Sequence, residues 1–112
     1  MGIQNWSEDI VLVNLAKEPQ MGEDLQMAIE MAGAAGGCDV VIDCADVGII
    51  TSSSIAKLLK LRKVLQAGGR RMVLSSVAGP TKGVFTVTGL DSILEFVDDQ
   101  YLALAGLQLI DG

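Results

Sequence analysis

The run from Val40 to Arg62, VVIDCADVGIITSSSIAKLLKLR, constrains the fold more than any other part of the chain. Val40, Val41 and Ile42 make an unbroken apolar strand, of the kind buried on both faces in the interior of a parallel sheet. A short acidic turn and an apolar patch, Ile49-Ile50, follow, then four hydroxyl residues in a row, Thr51, Ser52, Ser53 and Ser54. From there the spacing predicts an amphipathic helix over Ser52 to Ala67. A strand that runs through a loop into a helix is the repeating unit of α/β domains. The hydroxyls stand where that helix opens, beside free backbone N–H groups and the positive end of the helix dipole, a place that tolerates phosphate well. The stretch reads as a phosphorylation switch on a small α/β domain rather than as an active site.

The remaining segments continue the alternation. Ile10 to Leu15 is rich in β-branched and apolar residues and reads as a strand, with Ile3 to Trp6 as a short edge strand reached through a turn at Ser7-Glu8-Asp9. Pro19 ends that region. Gly22-Glu23-Asp24 opens a helix with two acids in its first turn, where the dipole favours them. Leu25, Ala28, Ile29 and Ala32 form its buried stripe, and Gly36-Gly37 stops it. In the second helix Ile55, Leu58, Leu59 and Leu65 are expected to face inward and Lys57, Lys60 and Lys63 outward, with Gly68-Gly69 closing it. Arg71 to Ser75 is the next strand. Gly79-Pro80 begins a third, short helix that ends at Gly89. Ile93 to Val97 is the last strand, and Asp98 to Leu109 a terminal helix with acids in its first turn. The expected fold class is α/β, a mainly parallel, mixed sheet of four to five strands with about four helices packed on it by right-handed crossovers.

Composition closes several routes to catalysis. The chain of 112 residues has no His, so it lacks the commonest general base and the commonest zinc ligand. Cys38 and Cys44 have no further Cys or His beside them and cannot complete a tetrahedral metal site, so no metal is expected. They read as two buried thiols of a reduced, cytoplasmic protein. No G-x-G-x-x-G follows the first strand, Gly79-Pro80-Thr81-Lys82-Gly83 lacks the spacing of a phosphate loop, and the serines lack a nucleophile elbow. Asp43 and Asp46 could be a carboxylate pair, but their positions fit the end of a strand and the turn after it. The expectation is a protein that is not an enzyme and needs no cofactor. No apolar run reaches the length of a membrane span, and the N-terminus has neither a signal-peptide pattern nor, with Trp6 at the key position, the spacing for myristoylation.

The net charge of −6 argues against nucleic acid as a partner. Its distribution is uneven: residues 1–46 carry nine acids and one base, 47–90 seven bases and no acid, and 91–112 five acids and no base. Such blocks read either as solvated helix faces or as one basic patch able to dock an acidic partner.

Three segments together resemble one family. Val40 to Leu59, with its buried strand ending in Asp43, its turn, its apolar pair and its hydroxyls opening a helix, is similar to the signature of STAS domains, the anti-sigma factor antagonist family. Gly68 to Leu74 resembles the family's glycine-rich turn and next strand, and Val84 to Leu90 the short helix that ends in Ser/Thr-Gly-Leu. The resemblance spans roughly residues 8 to 105 and implies a single STAS-like domain over residues 1–112. It implies a regulatory protein-binding module whose phosphoacceptor is Ser52, with Thr51 and Ser53 as alternates. The partner it implies is an anti-sigma factor with serine kinase activity, with a phosphatase to reset the switch. Thr51, Ser52, Ser53, Ser54, Lys57 and Lys60 would form the partner-binding surface, with no nucleic acid and no membrane span involved.

The chain departs from the family pattern where Thr51 replaces the usual Asp before the phosphoserine and Ser54 replaces the Gly after the serine pair. The family's segment after the first long strand is also replaced, here by Ala16 to Gly22. Helix capping is the plain alternative for the hydroxyls, since Ser and Thr are favoured N-caps worth about 1 kcal/mol each. One cap accounts for one hydroxyl, not four. Two other functions stay open: a scaffold or accessory subunit of a stress-signalling or lipid-transport complex, and a nucleotide or small-molecule site at the Ser52 to Ser54 N–H groups.

Overall fold

A computed structural model describes residues 2–33, 37–48 and 50–111. Gly36, expected to stop the first helix with its neighbours Ala34 and Ala35, and Ile49 of the apolar patch lie outside the described residues. The elements run β1 (Ile3–Asn5), β2 (Ile10–Asn14), α1 (Gln20–Ala32), β3 (Asp39–Asp43), α2 (Ser52–Ala67), β4 (Met72–Ser75), α3 (Gly79–Val87), β5 (Glu95–Val97) and α4 (Gln100–Asp111). The five strands form one sheet in the order β1-β2-β3-β4-β5. β1 is antiparallel to β2, and every later pair is parallel. The mixed α/β sheet expected from the strand–helix alternation is the sheet observed.

The topology follows from handedness. β2, β3, β4 and β5 step across the sheet in one direction, and right-handed crossovers then put α1, α2 and α3 on the same face. There Val11, Val13, Val40, Ile42, Met72 and Leu74 pack against Met21, Leu25, Leu58, Leu61, Leu65 and Phe85. The alternate residues of the same strands, Ile10, Leu12, Val41 and Val73, point to the other face, where α4 covers them with Ala103, Leu104 and Leu107. β3 is therefore apolar on both sides, which is why its sequence shows no polar alternation. Each fully buried leucine in this core contributes about 1.5–3 kcal/mol of apolar burial.

Several boundaries and faces differ from expectation. α1 begins at Gln20, directly after Pro19 at its N-cap, rather than at Gly22. Asp24 is buried, and its Oδ1 accepts from Gln20 Nε2 at 3.2 Å. The buried stripe of α2 is Ser54, Leu58, Leu61 and Leu65, spaced 4, 3 and 4 residues apart as a helix face requires. Leu59, about 100° further round, and Ile55 are only half-buried flanks. β5 is shorter than the expected Ile93–Val97, because Gly89, at φ 77°, leads into a 3₁₀ turn over Leu90–Ser92 that delays the strand to Glu95. The acids expected in the first turn of α4 precede it instead, and Asp99 Oδ1 accepts from Leu102 N at 2.9 Å. Among the described residues no helix is long and apolar enough to cross a membrane.

Candidate functional site

The carboxyl ends of parallel strands are where open α/β sheets place their ligands and loops of function. Four connections leave the sheet there: β2–α1, β3–α2, β4–α3 and β5–α4. The second carries the hydroxyl run. Thr51 is the N-cap of α2, with extended φ −85° and ψ 161°, and its Oγ1 accepts from Ser54 N at 3.2 Å. The capping reading is satisfied by Thr51 alone.

The four hydroxyls divide into two pairs. The Thr51 and Ser54 hydroxyls each donate to Glu18 Oε2 at 2.7 Å, and Thr51 N donates to the same oxygen at 3.1 Å. Ser54 is buried beneath this contact. Ser52 and Ser53, between them on the first turn, are exposed, and their hydroxyls have no partner among the described residues. Of the three proposed acceptors, Ser52 and Ser53 are therefore open, whereas Thr51 is engaged.

Glu18 was not singled out from sequence. It lies 33 residues from Thr51, on the β2–α1 connection that the parallel topology brings beside β3–α2. The hydrogen bond from the Thr51 hydroxyl acts with those from Ser54 and the Thr51 amide and with the charge of Lys57. Together they outweigh burial and hold the Glu18 carboxyl below the ordinary glutamate range. A carboxylate at the start of a helix is also favoured by the dipole. The one available signal was indirect: the Asp that the family pattern puts at position 51 is missing, and a carboxylate from another loop takes its place at the helix end. Lys17, Glu18, Gly48 and Thr51 border a cavity of about 390 Å³ at this corner.

The two lysines expected beside the hydroxyls part company. Lys60 is exposed on α2. Lys57 does not face outward: it is half-buried, and its Nζ donates to Gly22 O at 3.1 Å, tying α2 to α1. A Cβ on Gly22 would sit 3.3 Å from that ammonium, so glycine allows the approach. Of the seven bases of residues 47–90, Arg62, Arg70 and Arg71 border one pocket, and several are engaged by other groups. Arg70 and Arg71 pair with Asp9 and Glu95, Arg62 Nε donates to Ile93 O, and Lys82 lies over the ring of Phe96.

Asp43 and Asp46 stand apart. Asp46 is exposed in the turn, whereas Asp43 is buried and its Oδ1 accepts from Ser75 Oγ at 2.9 Å. Both cysteines are buried and free. Burial raises the Cys38 thiol against the opposing charge of Arg70, and burial, with Asp43, pushes Cys44 up to about 12. Neither thiol is an activated nucleophile.

A family model described as STAS domain matches residues 10–103. Several solved structures share the fold. A Thermotoga maritima protein named as a candidate anti-sigma factor antagonist has 17% sequence identity and a TM-score of 0.80, over 95% of this chain and 92% of that one. An anti-sigma-factor antagonist (STAS) domain protein from Planctomyces limnophilus has 18% identity and a TM-score of 0.78, over 95% and 96%. The Bacillus cell fate determinant SpoIIAA, in its phosphorylated form, has 16% identity and a TM-score of 0.72, over 94% and 96%. No curated protein sequence matches significantly.

Proposed function

Since the chain belongs to the STAS domain family, we propose that it is a regulatory protein-binding module, an anti-sigma factor antagonist switched by phosphorylation at Ser52. The partner is an anti-sigma factor with serine kinase activity, a phosphatase resets the site, and the module works in the cytoplasm without catalysing a reaction of its own. The observation that carries this reading is the division of the hydroxyls: Thr51 and Ser54 are engaged by Glu18, while Ser52 is exposed at the first position of α2 with its Oγ open. Transfer of the terminal phosphoryl group of ATP would form a bond from Ser52 Oγ to phosphorus, break the bond to the ADP oxygen and release the hydroxyl proton. The product adds about −1.5 to −2 charges and three strong acceptors to the centre of the docking face. Inside an interface that charge is expelled by repulsion and by the cost of desolvation, and the complex dissociates.

The test has two arms. Chains recovered from their native cells are fragmented and weighed, and a single phosphate on Ser52 is expected. Wild-type, Ser52→Ala and Ser52→Asp chains are then titrated against a kinase-type anti-sigma factor from the same cells. Ser52→Ala should bind like wild type and Ser52→Asp about tenfold or more weakly, a loss of about 1.4 kcal/mol. Equal binding by all three would overturn the switch.

A further inference from the structure

Glu18 ties the hydroxyl run to a second connection of the fold. One of its oxygens, Oε2, takes three donors, the Thr51 amide at 3.1 Å and the Thr51 and Ser54 hydroxyls at 2.7 Å. Hydrogen bonds to an ionised acceptor are roughly twice as strong as neutral ones. These three fasten the β2–α1 connection to the cap and third residue of α2. The attachment is local: Glu18 immediately precedes Pro19, the N-cap of α1, and borders the cavity shared with Lys17, Gly48 and Thr51. Lys57 Nζ donates to Gly22 O at 3.1 Å, and its charge also favours the Glu18 carboxylate.

Ser52 is the residue next to the Thr51 clamp, on the same helix end. A phosphate there places a second and larger negative charge beside the Glu18 carboxylate. Both anions draw on the same dipole and the same first-turn N–H groups. The phosphate is covalently fixed to the helix and carries more charge and more acceptor oxygens. Glu18 is held only by hydrogen bonds on a connecting segment and gives way at lower cost than the helix. We infer that Glu18 is a latch, docked on Thr51 and Ser54 while Ser52 is unmodified and released when Ser52 carries a phosphate. The inference rests on the reading of Ser52 as the phosphoacceptor and adds to it that the mark is read in two places. The charge appears on α2, and the β2–α1 connection changes position, reshaping the cavity it borders. A partner that contacts both segments loses more than a single hydroxyl contact on phosphorylation.

The latch can be tested without knowing the kinase. The full chain is made with phosphoserine inserted at position 52 during translation, beside the unmodified chain and Glu18→Ala. NMR then follows the cross-relaxation between the Glu18 Cγ protons and Ser54, and hydrogen exchange of the Thr51 amide. In the unmodified chain the Glu18–Ser54 contact should be present and Thr51 protected, with exchange at least about tenfold slower than in Glu18→Ala. In the phosphorylated chain the contact should vanish and the Thr51 amide should exchange faster. A Glu18–Ser54 contact that survives phosphorylation overturns the latch, and so does its absence from the unmodified chain. Partner binding by the same three chains keeps the two ideas apart. Lost binding with Glu18 still docked sinks the latch and leaves the switch standing. A released Glu18 with binding unchanged sinks the switch and leaves the latch.

Discussion

The two ends of the parallel strands are built on different terms. At the amino ends, charges are matched between strand starts: Arg70 before β4 with Asp9 before β2, Arg71 with Glu95 of β5, and the buried Asp39 accepting from Arg71 N at 2.9 Å. The backbone joins in, with Asp39 N donating to Asp9 O and Val40 N to Arg71 O. At the carboxyl ends no arginine takes part among the described contacts. One carboxylate gathers two hydroxyls and an amide, Asp43 takes Ser75, and two serines are left open to solvent. An end closed by matched charge holds the strands in register. An end closed by one movable carboxylate can be reopened by a change of charge nearby. The amino ends thus carry the matched charges, and the carboxyl ends carry the site where the proposed switch would act.

The sharpest way to break that contrast is to remove one anchor from each end. Asp39→Ala removes the carboxylate that accepts from the part-buried Arg71 amide, and a hydrogen bond to a charged group contributes about 1.5–3 kcal/mol. The unfolding free energy from urea melts should fall by that amount, through a lower midpoint at an unchanged slope, and Asp39→Asn, which keeps an acceptor oxygen, should recover most of the loss. Glu18→Ala, in a half-buried and more forgiving place, should cost only about 1 kcal/mol at neutral pH. If Glu18→Ala proved the costlier of the two, the division between a stabilising edge and a switching edge would be wrong.

Acid sharpens the same comparison. The Glu18 carboxyl is held below the ordinary range by Thr51, so the native state binds its proton later than the unfolded chain does. The stability it contributes is complete above the unfolded glutamate value of about 4.3 and is lost as pH falls through the lowered native value. The gap between wild type and Glu18→Ala in denaturant melts should therefore hold from pH 7 down to about 5 and close at lower pH. A gap that stayed constant through this window would mean that the carboxylate form of Glu18 is not what the hydroxyls hold.

The two ends were not equally legible. The sheet could be read because its signal is local: Val40-Val41-Ile42 is apolar without alternation, and Ser52 to Ala67 has helical spacing. The inner face of α2 was read half right, with Ile55 and Leu59 taken in place of Ser54 and Leu61, because four leucines within eight residues fit two neighbouring faces. Packing against Met21 and Leu25 settles which face turns in. Glu18 had no local signal, since its partners lie 33 and 36 residues away and meet it only when two parallel crossovers stand side by side. The partners of the charge blocks were hidden for the same reason. Residues 47–90 hold seven bases without an acid, yet Arg70 and Arg71 find theirs on strands and turns outside the block.

The smallest effect expected is at the pair that looks strongest. The Arg71 guanidinium makes two contacts with the Glu95 carboxylate, through Nε and Nη2, at the start of β5. Both side chains are well exposed, at 38% and 50%. Water and salt screen such a pair, and two long side chains lose rotamer freedom to form it, so exposed pairs contribute about 0–1 kcal/mol. Arg71→Ala should shift the denaturant midpoint by less than Asp39→Ala does, because the Arg71 amide that Asp39 needs is a backbone group and survives the substitution. Raising the salt concentration should shrink even that difference. A loss as large as that of Asp39→Ala, and insensitive to salt, would show that the amino end is held by its side-chain ion pair. In that case the register would depend on two exposed charges, and this edge would be as open to an electrostatic switch as the other.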